Sequence, residues 1–188
     1  IREGVAYVRQ FAPARWLLTT VVVSSFCLAP FMTFMPVYAK DILQGGADTL
    51  GMLMAAYGCG ALLAGLYLAN RESVTGLGAR SVAGSFAAAA ASFAFAYNHM
   101  LWAAFALLLI AGCGTIIVVT SSNMLLQSLV PDNLRTQVMA FYYMSFSGML
   151  PVASLADGAL AHWIGVEPVF ALSGALFACL GYNLYRKL

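Results

Sequence analysis

Charge is what this chain has least of. Among 188 residues it carries nine Lys and Arg and seven Asp and Glu, so 9% of the sequence is formally charged while 62% is hydrophobic. Between Arg80 and Asp132 there is no Asp, Glu, Lys or Arg at all. Soluble domains average roughly 25% charged and 45–50% apolar residues. A chain this poor in charge cannot clothe a core in polar surface, which excludes a soluble bundle. Ten-residue stretches of alternating hydrophobicity are also lacking, which excludes a membrane β-barrel. Histidine is scarce, and neither His99 nor His162 has a neighbouring Ser or Cys arranged as a nucleophile with an oriented base. No Gly-Lys-Ser/Thr phosphate loop exists, which argues against an ATP-driven motor, and the basic residues are too scattered for a nucleic-acid surface. Cys27, Cys59, Cys113 and Cys179 lie inside apolar runs at no metal-like spacing. They are expected to be buried free thiols, with no disulfide, no metal and no cofactor. There is no initiating Met and no short apolar leader core; Ile1-Arg2-Glu3-Gly4 reads as the interior of a longer chain.

What the chain does have is long uncharged runs, at 16–39, 49–70, 81–131, 136–156 and 168–185. Roughly 20 apolar residues in a helix cross about 30 Å of hydrocarbon. Each run therefore holds one span, except 81–131, which is long enough for two and divides at Asn98-His99. The expected fold is all-α, a polytopic membrane protein with six transmembrane helices at about 16–38, 50–69, 80–97, 101–122, 137–161 and 168–185. Residues 1–15 form a cytoplasmic linker end or an amphipathic lead-in, with Val5, Val8 and Phe11 among Arg2, Arg9 and Arg15; residues 16–188 form the transmembrane domain. Alternate punctuations collect Arg2, Arg9, Arg15, Arg71, Arg80, Arg135, Arg186 and Lys187 on one side and Lys40 alone on the other. Basic residues favour the cytoplasmic side, so both ends are expected there. Trp16 at an inner boundary and Tyr38, Trp102 and Trp163 near outer ones suit an aromatic belt.

Several residues stand out within the spans. Pro30 predicts a bend in the first, because proline removes a backbone donor and crowds the preceding turn. Gly51, Gly58, Gly60 and Gly65 in the second span, Gly84 in the third and the Ala87–Ala91 run predict close helix packing, since lipid offers no hydrophobic reward for helix association. Pro131 ends one helix, and Asp132 or Asn133 is expected to cap the next. Gly148 and Pro151 mark a further bend or packing point in the fifth span. Asp157 is the one formally charged residue inside a predicted span. About twenty residues into an outward helix, it falls near the outer interface and is a candidate for an outer gate or for proton coupling. Thr33, Tyr57, Asn123, Tyr142, Tyr143 and Ser145 are candidates to line a cavity, where hydroxyls, an amide and aromatic rings suit an amphipathic solute.

Three stretches resemble the C-terminal half, helices seven to twelve, of a major facilitator superfamily transporter. They are similar to the exporter group that includes the enterobactin exporter and drug-efflux proteins. Phe31 through Ala39 followed by Gly45-Gly46-Ala47 resembles the end of the seventh helix and its loop. Gly65 through Arg71, with Gly76, Gly78 and Arg80, resembles the cytoplasmic loop between helices eight and nine; Asn123 through Arg135 resembles the loop between ten and eleven. The resemblance implies a cytoplasmic gate at Gly65, Asn70, Arg71, Gly78, Arg80, Asp132 and Arg135, with Asn70 at the position the family fills with an acid. Gly148, Pro151 and Gly158 resemble an antiporter-type glycine–proline pattern. It further implies six more spans in front of Ile1, a small-molecule cargo bound between two six-helix halves, and the proton gradient as driving force.

The function expected is secondary active transport: proton-coupled efflux of a small amphipathic molecule, drug-like or siderophore-like, across a bacterial inner membrane. Spans with almost no buried charge suit such a cargo better than a sugar or a highly charged anion. Uptake by the same kind of carrier and a non-transport membrane assembly module are the alternatives. An intramembrane enzyme is disfavoured by the lack of paired ionisable groups at depth.

Overall fold

The computed structural model of the chain describes residues 7–70 and 75–187. Among them run six long helices: α1 (Ala12–Thr33), α2 (Ala47–Ala69), α3 (Leu77–Ala96), α4 (Leu101–Leu129), α5 (Asp132–Ile164) and α6 (Val166–Lys187). Five of these, α1 with its extension to Ile42, α2, α4, α5 and α6, are long and apolar enough to cross a membrane. The expected sixth, α3, falls short of that mark: Ala, Gly and Ser fill most of its 20 residues, and Arg80 lies in its first turn.

Helix ends depart from the expected spans for physical reasons. α4 continues beyond 122 to Leu129, and α5 starts at Asp132 rather than 137. Polar residues such as Asn123, Gln127 and Arg135 end a hydrophobic run without ending a helix. Pro131 precedes α5, its carbonyl accepting from the Leu134 and Arg135 amides at 3.0 Å, and no side chain caps the helix. Asp132 lies instead in the first turn, where a negative charge suits the helix dipole, and pairs with Arg135 at 2.6 Å. α1 begins at Ala12, with Pro13 in its first turn, where the missing amide costs no hydrogen bond. Residues 7–10 are helical, and the Tyr7 hydroxyl donates to the Leu129 carbonyl at 3.3 Å, so this part of the lead-in is tied to the end of α4. Arg2 and Val5 of the lead-in lie outside the described residues.

Pro30 sits inside α1, and the interruption comes at Phe34, between the two prolines. Pro36 has no amide to offer the preceding turn, so the α-helix resumes only as Met35–Val37 and widens into a π-turn at Tyr38–Ile42. Tyr38 is fully buried rather than lying at an interface: its ring stacks on Phe95 at a centroid distance of 4.1 Å.

α3 packs along α4 and α6; α2 rests on α4, and α1 contacts α5, α6 and α4. Glycines set the closest approaches. A Cβ on Gly60 would collide with the Leu109 carbonyl oxygen, and one on Gly112 with that of Tyr57, so α2 and α4 touch backbone to backbone. Gly84 and Gly114 bring α3 and α4 together similarly, a Cβ on Gly84 falling 3.0 Å from the Gly114 carbonyl oxygen. Ala88, Ala89 and Ala91 are buried, as a packing face requires.

Two larger apolar clusters flank this small-residue waist. Phe31, Tyr38, Tyr57, Phe95 and Phe170 fill one end, and Leu17, Val21, Leu126, Val138 and Tyr142 the other. Hydroxyls within the bundle return to their own helices, as in Ser85 to Ser81 O and Thr115 to Ala111 O, both 2.8 Å. This satisfies them where water is absent. Cysteines depart from expectation: Cys27 is buried, Cys113 half-buried, and Cys59 and Cys179 exposed, all of them free.

Candidate functional site

Hydroxyls that cross between helices locate the polar content of the bundle. Thr33 donates to Ser154 Oγ at 3.0 Å and Ser25 to the Phe146 carbonyl at 3.1 Å, which fix α1 against α5. Asp157, one turn beyond Ser154, is 7% exposed, and its Oδ2 has no hydrogen-bond partner. Among the described residues it is the one charged side chain that is buried. A polar atom buried without a partner is costly, and a charged one most of all.

Deeper between α2 and α4, Tyr57 is buried with its ring 5.4 Å from Phe31. Its hydroxyl lies beside Thr115 without a hydrogen bond of ordinary geometry. Ser121 and Ser122 of α4 likewise hold buried hydroxyls without partners. Thr115 and Ser122, seven residues apart, share a helix face. That spacing is the signal by which sequence reasoning could have found them, and it singled out neither. Ser154 was also missed, because only the register of α1 on α5 brings it to Thr33.

Toward the arginine-bearing end, the buried Tyr142 donates from its hydroxyl to the Val119 carbonyl at 2.8 Å and lies beside Asn123. Asn123 Oδ1 accepts from Gln127 Nε2 at 2.6 Å. Tyr143 is 58% exposed, with its ring edge-on to Tyr142, and Ser145 is half-buried. The structure thus brings Asn123, Tyr142 and Tyr143 together and leaves Thr33 and Tyr57 at other levels. None of the six lines either of the two principal cavities, one of about 670 Å³ between α1, α4 and α6 and one of about 340 Å³ between α2, α3 and α4. Of the five spans, α5 and α2 are the least buried. Their open faces carry Met52, Leu62 and Tyr67, and Met144, Val152 and Leu155. Gly148 and Pro151 are exposed on α5, which continues unbroken through the proline.

The loops at the arginine-bearing end hold the gate candidates. Asn70 follows α2 and is exposed; Arg71 lies outside the described residues. Gly65 is half-buried and Gly78 buried. Gly76 precedes α3 at φ 73°, a left-handed conformation that glycine adopts without strain. Arg80 folds back to donate to the Thr75 carbonyl at 3.2 Å, and Asp132 and Arg135 form their ion pair nearby in sequence to the end of α4. Among the described residues no group of His, Cys, Asp and Glu is placed to hold a metal ion.

Long apolar helices, joined backbone to backbone at glycines and sparing in buried charge, define a multi-pass membrane protein. The family model described as "transmembrane secretion effector", of the major facilitator type, matches residues 1–186, and the chain belongs to that family. Its members are transporters, not enzymes. No curated protein matches the chain.

Proposed function

We propose that this chain forms one six-helix wall of a secondary transporter that exports a small amphipathic molecule, drug-like or siderophore-like, in exchange for protons. It works in a bacterial inner membrane with both ends of this chain cytoplasmic, opposite a second six-helix unit. In this reading α3 is the sixth span. Its small residues pack on α4 and α6, while Phe86 and Phe93 on its exposed face meet lipid. The open faces of α2 and α5 are the surfaces the second unit covers, and the hydroxyls and rings of Thr33, Tyr57, Asn123, Tyr142, Tyr143 and Ser145 supply the cargo-facing polar groups. Asn70, Arg71, Arg80 and the Asp132–Arg135 pair, with Gly65 and Gly78, form the cytoplasmic gate. Pro30, Gly148 and Pro151 are the bending and packing points on which the wall rearranges.

The observation that carries the reading is Asp157: a lone buried carboxyl with an unpartnered oxygen, in a bundle otherwise free of buried charge among the described residues. Ionisable groups inside membrane spans are rare and serve ion pathways, and a carboxyl is the group here that can take up and release a proton. In the full-length protein, Asp157→Asn should abolish cargo movement driven by a pH gradient and leave cargo exchange at equal pH intact. Gradient-driven flux at the wild-type rate would remove Asp157, and with it the coupling reading.

A further inference from the structure

The cavity of about 670 Å³ lies toward the arginine-bearing end of the bundle, between the start of α1 and the ends of α4 and α6. Trp16, Val23, Leu125, Leu129, Leu176 and Leu180 give it an apolar lining. Its polar side chains are already engaged. Thr19 donates to the Arg15 carbonyl at 2.9 Å, and Asn183 donates through Nδ2 to the Cys179 carbonyl at 2.8 Å. An occupant of the groove therefore meets hydrocarbon walls and few unspent hydrogen-bonding groups, which suits an alkyl chain.

The rim differs from the walls. Arg15 stands one turn before Thr19 on α1, and Arg186 one turn past Asn183 on α6, so both arginines sit at the same end of the groove, just beyond the residues that line it. Arg186 lies 6.0 Å from the Tyr182 ring. Among the described residues neither arginine has an acidic partner. Among the described residues the one acidic side chain at this end, Asp132, is taken by Arg135 at 2.6 Å. Trp16, 47% exposed beside the rim, has the amphipathic character of a residue at the headgroup level. An apolar slot capped by two cations is complementary to a molecule with a long alkyl chain and an anionic head, and the surrounding leaflet supplies such a molecule in abundance.

We propose that this groove holds one acyl chain of an anionic phospholipid whose phosphate lies between Arg15 and Arg186. The site goes beyond the transport reading and rests only on the chain's membership of a membrane family. It involves α6 and none of the six cargo candidates.

The test uses the full-length protein in lipid nanodiscs with every tryptophan except Trp16 replaced by Phe, so that Trp16 reports on the groove. Phosphatidylglycerol brominated on its acyl chains should quench Trp16 at a roughly tenfold lower mole fraction than brominated phosphatidylcholine, given two basic residues at the headgroup. The preference should vanish in the Arg15→Gln, Arg186→Gln double variant and persist in the Arg15→Lys, Arg186→Lys one. Equal quenching by the two lipids, or a preference that survives the glutamine pair, would overturn the proposal. So would a Trp16 that neither lipid quenches, since protein would then fill the groove. Relief of quenching by an added lipophilic cation would overturn it in favour of a cargo site. The comparison of the two lipids on the wild-type arginines decides the matter by itself if the glutamine pair does not fold.

Discussion

A single hydroxyl anchors the far end of α1. Tyr38 donates to the Phe95 carbonyl at 2.8 Å and approaches that of Asn98, while its ring sits between Phe95 and Phe170. Proline interrupts the helix just before it, so this anchor replaces backbone continuity as what holds the segment in place. Tyr38→Phe keeps the ring and removes the hydroxyl's bonds, while the Phe95 carbonyl still accepts from the Asn98 amide at 3.2 Å; the change should cost about 0.5–1.5 kcal/mol. Thermal unfolding in detergent checks it; an unchanged midpoint would mean that ring packing alone sets the position. The Thr33–Ser154 bond is a weaker tie, because polar pairs in membranes contribute on average about 0.6 kcal/mol. A double-mutant cycle with Thr33→Val and Ser154→Ala should return a coupling of that order, and a coupling near zero would unlink α1 from α5 at that level. Neither residue's role was legible in the sequence. Tyr38 read as an interfacial aromatic, and Ser154 carried no signal, because burial and pairing depend on how helices register against one another.

At the scale of whole helices, the backbone contact of α2 with α4 decides the packing. Gly112→Val places branched carbon against the Tyr57 carbonyl, with no flexible side chain there to move aside. The two helices must separate, and overpacking of this kind typically costs about 1–3 kcal/mol. The expected result is a lowered unfolding midpoint and reduced yield of monodisperse protein, with Gly58→Val, which meets open space, as the tolerated control. Equal behaviour of the two variants would contradict the crossing. Much of this scale was legible beforehand. Uncharged runs separated by short charged clusters mark helices because lipid admits only segments that satisfy their own backbone; of the glycines expected at contacts, Gly60 and Gly84 meet a neighbouring backbone, while Gly51, Gly58 and Gly65 face open space. The limits of α4 and α5 were not legible, because the hydrophobic signal stops at the edge of the hydrocarbon while the helix does not. α3 shows the converse: the Ala, Gly and Ser that let it pack closely on α4, together with Arg80, lower the hydropathy by which a span is recognised.

The whole molecule is asymmetric in charge, and the orientation proposed for it rests on that asymmetry. With the native cysteines replaced, a cysteine at His99 or Trp163 should react with a membrane-impermeant maleimide in intact cells, and one at Asn70 or Asn133 only after permeabilisation. The reverse pattern would invert the topology and place the gate loops outside. The proposed polar wall was legible only in part: its residue types could be picked out, but they fall at more than one level, and none lines either of the two cavities described.

The most direct measurement is cargo flux into proteoliposomes of the full-length protein under an imposed pH gradient, across siderophore-like molecules, lipophilic cations and sugars. The account predicts gradient-dependent flux of an amphipathic member of that set, collapsing when a protonophore dissipates the gradient, with no flux of the sugars. Flux confined to sugars, or no gradient-dependent flux of any of the three, would contradict it.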